Sequence, residues 1–199
     1  TDTFDRSENW LPLMRGSLMN RYTNLWNNNY YVLYGKNLGA PRDSKIFECK
    51  EKIIIRQTSD KIIATIITEN IICRKNLHIL ISEMVDHRFI LGVLNSKLTN
   101  FYYQQINPEK GEVLAEVKKT HVEQLPIPKI TSENQQLHDD LVKLVEQMLK
   151  AKKEEQNAQS DHEKNLYKNL TESLDYKINN LVYKLYNLTP EEIDLVENS

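Results

Sequence analysis

Short β-branched and aromatic runs, separated by turn residues, dominate the first 80 positions, and this pattern predicts a sheet. Tyr30–Tyr34 is a predicted strand that ends at Gly35. Lys52–Arg56 contains consecutive isoleucines, so it is predicted to be a strand buried on both faces. The same reasoning adds strands at Ile62–Ile67, Ile71–Cys73 and Leu77–Ile81.

After residue 87 the apolar residues recur every three or four positions, which is typical of helices. Arg88–Gln105 is predicted to be one helix packed on the sheet, and Leu125-Pro126-Ile127-Pro128 ends regular structure. Two longer helices follow, with their turn inside the charged stretch 150–163, and they are predicted to pair antiparallel. Their apolar stripes are Leu137, Leu141, Leu144, Val145 and Met148, then Leu166, Leu170, Leu174, Ile178, Leu181 and Leu185.

Local signals predict where these helices begin and end. Thr131 or Ser132 caps the first one, and Gln135 follows Ser132 at the spacing of a capping box. Asn187 is predicted to take the left-handed conformation that ends the second helix. Thr189-Pro190 then starts a short last helix, with threonine as the cap and proline at the first position.

These elements predict an α+β chain with a β-rich domain over residues 1–125 and a helical region over 126–199. No apolar run approaches the roughly 20 residues that cross a bilayer, so we expect no membrane contact and a cytoplasmic protein. Cys49 and Cys73 form no disulfide or metal pattern and are predicted to be buried, reduced thiols. Thr1 is not an initiator residue, so we expect the chain to begin inside a longer polypeptide or at a processed end.

Positive charge is concentrated in the β-rich part, although the formal net charge of the chain is −2. Residues 11–82 hold 11 Lys and Arg against 5 Asp and Glu. This excess favours an anionic partner such as nucleic acid. The alternative is that lysines at strand edges only prevent aggregation. Aromatic residues alternate with the basic ones, and ordinary core packing explains most of them.

Motifs for catalysis are missing from the sequence. It has no glycine-rich phosphate loop, nucleophile elbow, zinc-protease helix or calcium loop. The 5 histidines are scattered singly, which predicts no metal site. Asp139 and Asp140 are adjacent on a predicted helix and therefore diverge, so they form no paired carboxylate. An enzyme acting alone is disfavoured.

Several segments, taken in order, resemble one known family. They are Arg15-Gly16 with Arg21-Tyr22, Tyr34-Gly35 with the segment 51–58, Leu94-Asn95-Ser96-Lys97-Leu98 with Phe101-Tyr102-Tyr103, Leu125-Pro126-Ile127-Pro128, and the tail 181–193. Together they resemble the TaqI-like C-terminal specificity domain of adenine-specific DNA methyltransferases and of fused type IIG restriction-modification enzymes. Asn179 and Asn187 stand where that family usually has Asp and Gly.

The resemblance implies a target-recognition domain that holds duplex DNA, cut away from a methyltransferase core that lies upstream in the same polypeptide. That core would bind S-adenosylmethionine and methylate a flipped adenine, whereas this segment would hold no cofactor and no metal. The side chains chosen as DNA-contacting candidates by residue type and predicted exposure are Arg15, Arg21, Lys36, Arg42, Arg56, Gln57, Thr58, Lys61, Arg74 and Lys75.

Different roles are predicted within this set. The lysines are expected to contact phosphates, whereas Arg42, Arg56 and Gln57 are expected to contact bases. Arg56-Gln57-Thr58 directly follows a buried strand, so its side chains would project from a rigid base. The rival hypothesis is a non-catalytic protein-interaction module that docks a partner through its helical pair and has no role on DNA.

Overall fold

A computed structural model describes residues 10–35, 38–109, 111–112 and 115–199 and confirms the α+β class. The strands are β1 Trp10–Met14, β2 Met19–Asn20, β3 Thr23–Asn24, β4 Tyr31–Leu33, β5 Lys52–Arg56, β6 Ala64–Ile67, β7 Ile72–Cys73 and β8 Leu77–Leu80, with a 3-10 turn at Gly16–Leu18. The helices are α1 Lys45–Glu48, α2 His87–Asn95, α3 Lys97–Ile106, α4 Lys119–Val122, α5 Gln135–Asn157, α6 Asp161–Leu185 and α7 Pro190–Glu197.

Strand β5 is the middle strand of an antiparallel sheet, with β6 on one side and β8 on the other. Ile53, Ile54 and Ile55 are all fully buried. Because successive side chains of a strand point to opposite faces, Ile53 and Ile55 enter one hydrophobic core and Ile54 enters another. The predicted burial of this strand on both faces is confirmed.

The core around Ile54 joins this sheet to a second one with the order β4-β1-β7. In that sheet β1 runs antiparallel to β4 and parallel to β7. Met14 from β1, Phe47 from α1 and Ile67 from β6 meet in this core, and each is at most 1% exposed. Two small sheets are thereby held together by one layer of apolar side chains.

The core around Ile53 and Ile55 joins the sheet to the helices. Its members include Phe89 and Leu94 of α2, Val145 and Met148 of α5, and Ile178 and Val182 of α6. The connection between α5 and α6 is only residues 158–160, so the two helices pair antiparallel as predicted. This core takes side chains from both sides of residue 125, and the predicted domain boundary there stays a prediction.

Three features of the helices differ from the sequence prediction. The single helix over Arg88–Gln105 is wrong, because Ser96 is extended and its Oγ accepts a hydrogen bond from the Thr99 amide at 3.1 Å, which starts α3. The capping box at Ser132 is also wrong, since α5 begins at Gln135 with Asn134 as its N-cap.

The third difference concerns the stripe on α6. Leu166 and Leu170 are 56% and 44% exposed, so the buried part of the stripe begins at Leu174. Beyond residue 185 the prediction is confirmed. Asn187 is left-handed with φ 53°, and Thr189 forms a capping box ahead of Pro190.

The cysteines are only partly as predicted. Neither Cys49 nor Cys73 is in a disulfide. Cys73 is buried, and burial raises the pKa of its thiol to about 11, so it stays protonated near neutral pH. Cys49 is half-buried rather than buried.

A lysine at the start of β5 is fully buried. The Lys52 ammonium donates hydrogen bonds to the carbonyl oxygens of Phe47 at 3.0 Å, Cys49 at 3.2 Å and Glu69 at 3.0 Å. Burial lowers the pKa of Lys52 from its ordinary value. The side chain therefore ties the loop after α1 to the turn after β6, and its charge faces away from solvent.

We expect Lys52→Met to lower the free energy of unfolding by about 2 kcal/mol, because the substitution leaves buried carbonyl groups without a donor. Lys50→Met, two positions earlier at an exposed site, removes the same charge and is the matched control. Urea denaturation of both variants measures the difference. Equal stability of the two variants would contradict a structural role for the Lys52 ammonium.

Helix α2 packs so closely on α5 that Gly92 has no room for a side chain. A Cβ atom at this position would lie 2.9 Å from Val145 Cγ2 and 3.0 Å from Leu141 Cδ1. We expect Gly92→Ala to cost about 1–3 kcal/mol of unfolding free energy, since overpacking outweighs the better helix propensity of alanine. Gly39→Ala, where no atom lies within 4 Å, is the control in the same denaturation experiment.

Candidate nucleic-acid interface

Two basic residues are brought together where β1 and β7 end. The two strands run parallel, with Leu13 beside Ile72 and Met14 beside Cys73. The pairing continues one step further, because the Arg74 amide donates to the Met14 carbonyl at 3.0 Å. Arg15 and Arg74 therefore leave the sheet side by side, although 59 positions separate them in the sequence.

The end of β5 lies against the turn between β7 and β8. Arg56 is opposite Leu77 in the sheet, and the Gln57 amide donates to the Asn76 carbonyl at 3.1 Å. Arg74 and Lys75 belong to this same turn and are exposed. The Arg56-Gln57 junction predicted from sequence is thus beside the Arg74-Lys75 turn, and three separate segments supply one surface.

Arg42 joins this surface from the segment between β4 and α1. Its Nη2 donates to the carbonyl oxygens of Lys75 and Leu77, both at 3.0 Å. The Tyr34 hydroxyl in turn donates to the Arg42 carbonyl. We call the resulting surface the basic end of the sheets, and its members are Arg15, Arg42, Arg56, Gln57, Arg74 and Lys75.

Some members of the basic end already form hydrogen bonds within the protein. The Arg56 guanidinium is half-buried and donates to the Met19 carbonyl and, at 3.2 Å, to Asn20 Oδ1. Burial lowers the pKa of Arg56, yet a guanidinium keeps its charge in a protein. The Gln57 side chain donates from Nε2 to Glu116 Oε2 at 3.2 Å. The predicted base contacts of Arg42, Arg56 and Gln57 stay predictions, and in this structure all three groups hold the loops in place.

Asn76 borders the basic end and was not predicted from the sequence. A Cβ atom on Gly16 would lie 3.2 Å from Asn76 Nδ2 and 3.5 Å from Arg56 Cγ. The close approach explains a glycine after Arg15, since any side chain would press on the turn. Asn76 Oδ1 is buried without a hydrogen-bond partner among the described residues. No spacing or motif marked this residue, because its importance depends on contacts between distant segments.

Three of the predicted contact residues lie outside the basic end, and a fourth is not among the residues that the structure describes. Thr58 is exposed and pairs with Glu116 in an isolated bridge. Lys36 lies outside the described residues. Arg21 and Lys61 line a groove of about 990 Å³ between the sheets and the α5–α6 pair.

The groove that contains Arg21 has a balanced charge. Its charged lining residues are Arg21, Lys61, Lys97, Lys152, Asp60, Glu155, Glu172 and Asp175. Arg21 forms an ion pair with Asp175 at 2.6 Å and also donates to the Asn95 carbonyl at 2.7 Å. Because positive and negative groups are equal in number, this groove offers little attraction to a polyanion. Arg21 links the β2–β3 turn to the helices.

The Leu94–Leu98 motif is explained by contacts within the fold. The Asn95 side chain forms two hydrogen bonds with the backbone of Ala64. Its Oδ1 accepts from the Ala64 amide at 3.1 Å, and its Nδ2 donates to the Ala64 carbonyl at 3.0 Å. Asn179 Oδ1 accepts from the Lys97 amide at 2.8 Å, at the first turn of α3. Both side chains fasten the helices to β6 and to each other. The Asn179 carboxamide thus accepts from the start of α3 and donates to the Asp175 carbonyl within α6 at 2.9 Å.

The described residues were also compared with the requirements of a metal site and of a membrane span. Within it, no three His, Cys, Asp or Glu side chains are grouped in a way that would hold a metal ion. Among the same residues, every helix is too short or too polar to cross a bilayer.

The comparisons with known proteins define this module as a specificity domain. The family model of the TaqI-like C-terminal specificity domain matches residues 11–127, which is more than half of the 199 residues. The chain belongs to that family. The matched segment includes the whole basic end and α2 to α4, whereas α5 to α7 lie beyond it. The search of curated proteins gave no match.

Proposed function

We propose that this chain recognises a sequence in double-stranded DNA as the specificity domain of an adenine-specific DNA methyltransferase of a restriction-modification system, type IIG enzymes included. The observation that carries the proposal is the basic end, where five Arg and Lys residues from separate segments meet on a specificity-domain fold. The methyltransferase core lies upstream in the same cytoplasmic polypeptide. S-adenosylmethionine belongs to that core, and no residue of this chain is assigned to it.

The basic end is suited to hold a phosphate backbone in a fixed register. Arg74 and Lys75 are exposed at the tip of a short turn, so their charges are available to phosphates. Arg42 and Arg56 are held by backbone carbonyls, so their positive charge is presented without further loss of side-chain freedom. A surface arranged in advance in this way gives orientation on the duplex, on which sequence reading depends.

Binding of the 199-residue chain to a 30-base-pair duplex is expected to weaken steeply as salt rises. Each neutralised phosphate contributes a slope of about −0.9 to log K against log salt, so two to four contacts predict about −2 to −4. Fluorescence anisotropy from low to moderate ionic strength measures this slope. A slope near zero, or no binding at the lowest salt, would overturn the proposal.

The double variant Arg74→Gln/Lys75→Gln tests whether the basic end is the contact surface. We expect weaker binding and a salt slope shallower by up to about 1.8, the loss of two phosphate contacts. Lys150→Gln/Lys153→Gln removes the same charge from exposed positions on α5 and is the matched control. An equal effect of both double variants would mean that only net charge matters and that the basic end has no special role.

A docking function for the helical pair is the second candidate. Leu166 and Leu170 form an exposed apolar strip on α6, and Tyr176 on the same helix is 69% exposed. These side chains favour contact with another protein surface. The salt titration separates the two functions, since a docking module without a DNA role would show no salt-dependent binding to duplex.

A further inference from the structure

A loop of three consecutive asparagines borders the basic end. Asn27, Asn28 and Asn29 are exposed and lie between β3 and β4. Strands β1 and β4 pair antiparallel, and one step beyond their register the Leu13 amide donates to the Tyr30 carbonyl at 3.0 Å. The loop therefore ends beside the C-terminal end of β1. The Arg15 guanidinium lies over the Tyr30 ring, 4.9 Å from its centroid. The asparagine loop and the basic end therefore occupy the same end of the sheet.

The base of this loop is fixed by an aromatic anchor. Trp26 Nε1 donates to the Tyr30 carbonyl at 3.3 Å, across the loop. The Trp26 amide donates to Asn24 Oδ1 at 3.0 Å, and the Trp26 and Tyr31 rings meet edge to face at 5.9 Å. The exposed residues 27–29 are thus held between Trp26 and Tyr30, which are hydrogen-bonded to each other. Side chains in such a loop are presented to a ligand from a rigid scaffold.

Turn formation explains only one of the three asparagines. Asn28 has φ 65°, a left-handed conformation that asparagine tolerates better than most residues. Its Oδ1 also accepts from the Tyr31 hydroxyl at 3.4 Å. Asn27 and Asn29 are not among the described non-glycine residues with positive φ, so backbone geometry does not require asparagine at either position. Their carboxamides are exposed and free to meet a ligand.

The chemistry of a carboxamide selects the kind of ligand. It carries no charge, so Asn27 and Asn29 add nothing to the attraction for phosphate. A side-chain amide presents one donor and one acceptor in a plane, and this pair matches N6 and N7 of adenine in the major groove. We propose that Asn27 and Asn29 read adenine base edges while the basic end holds the neighbouring phosphates. The inference rests on the proposed function and assigns to it the contacts that would give sequence preference.

Selection of binding sites from a randomised duplex pool by the 199-residue chain, followed by sequencing, tests the inference. We expect the selected sites to require an A·T pair at one or two positions. Asn27→Ala/Asn29→Ala should lose that preference by about 5- to 150-fold, the range for one bidentate base contact. The variant should keep the unaltered chain's slope of log K against log salt on an unselected duplex. An unchanged slope also shows that the variant is folded. Asn157→Ala/Asn169→Ala, exposed asparagines on α5 and α6, is the control.

The outcomes of this experiment distinguish failure of the inference from failure of the proposed function. If the unaltered chain binds no duplex even at low salt, the proposed function fails and the inference fails with it. If it selects sites and Asn27→Ala/Asn29→Ala selects the same sites, DNA recognition stands and the role of the loop is overturned. Selection of sites that lack any A·T requirement would overturn it as well. Loss of the preference in this variant alone, with the salt slope intact, would support it.

Discussion

The burial of β5 on both faces is the constraint on which the rest of the structure depends. Ile54 holds this strand to the β4–β1–β7 sheet, while Ile53 and Ile55 hold it to the helices. Complete burial of the three isoleucine side chains stabilises the fold by roughly 5–9 kcal/mol, before the entropic cost of ordering them is subtracted. Because one strand belongs to two cores, the two sheets and the helical pair have fixed positions relative to one another.

The same constraint positions the candidate interface. The strand β5 ends at Arg56, beside the turn that connects β7 to β8, and β7 ends beside β1. Basic residues at the ends of these strands are therefore collected at one end of the sheets. Two guanidinium groups of the basic end donate to backbone carbonyls, Arg42 to Lys75 and Leu77 and Arg56 to Met19, so the surface is stabilised by groups that give it charge. Rigid presentation of charge favours a ligand with regularly spaced phosphates.

Arg21 shows why residue type alone was a weak guide to the site. It is basic and half-buried, as are Arg15 and Arg42. Its partner Asp175, however, lies 154 positions away on α6, and no local sequence pattern predicts this ion pair. The same holds for Lys52, because its position beside an apolar run does not indicate that its ammonium donates to three backbone carbonyls. Conversely, Asn76 and the asparagine loop became notable only through their neighbours in space.

The sequence by itself determined the α+β class, the double burial of β5, the antiparallel helix pair, the ending at Asn187 and Thr189, and the family. These follow from local periodicity, capping chemistry and motif order, which are all properties of neighbouring residues. The tertiary structure alone decided the break at Ser96, the exposure of Leu166 and Leu170, and the separation of Arg21 and Lys61 from the basic end. These depend on which distant surfaces meet, because burial and pairing are set by contacts between segments rather than along them.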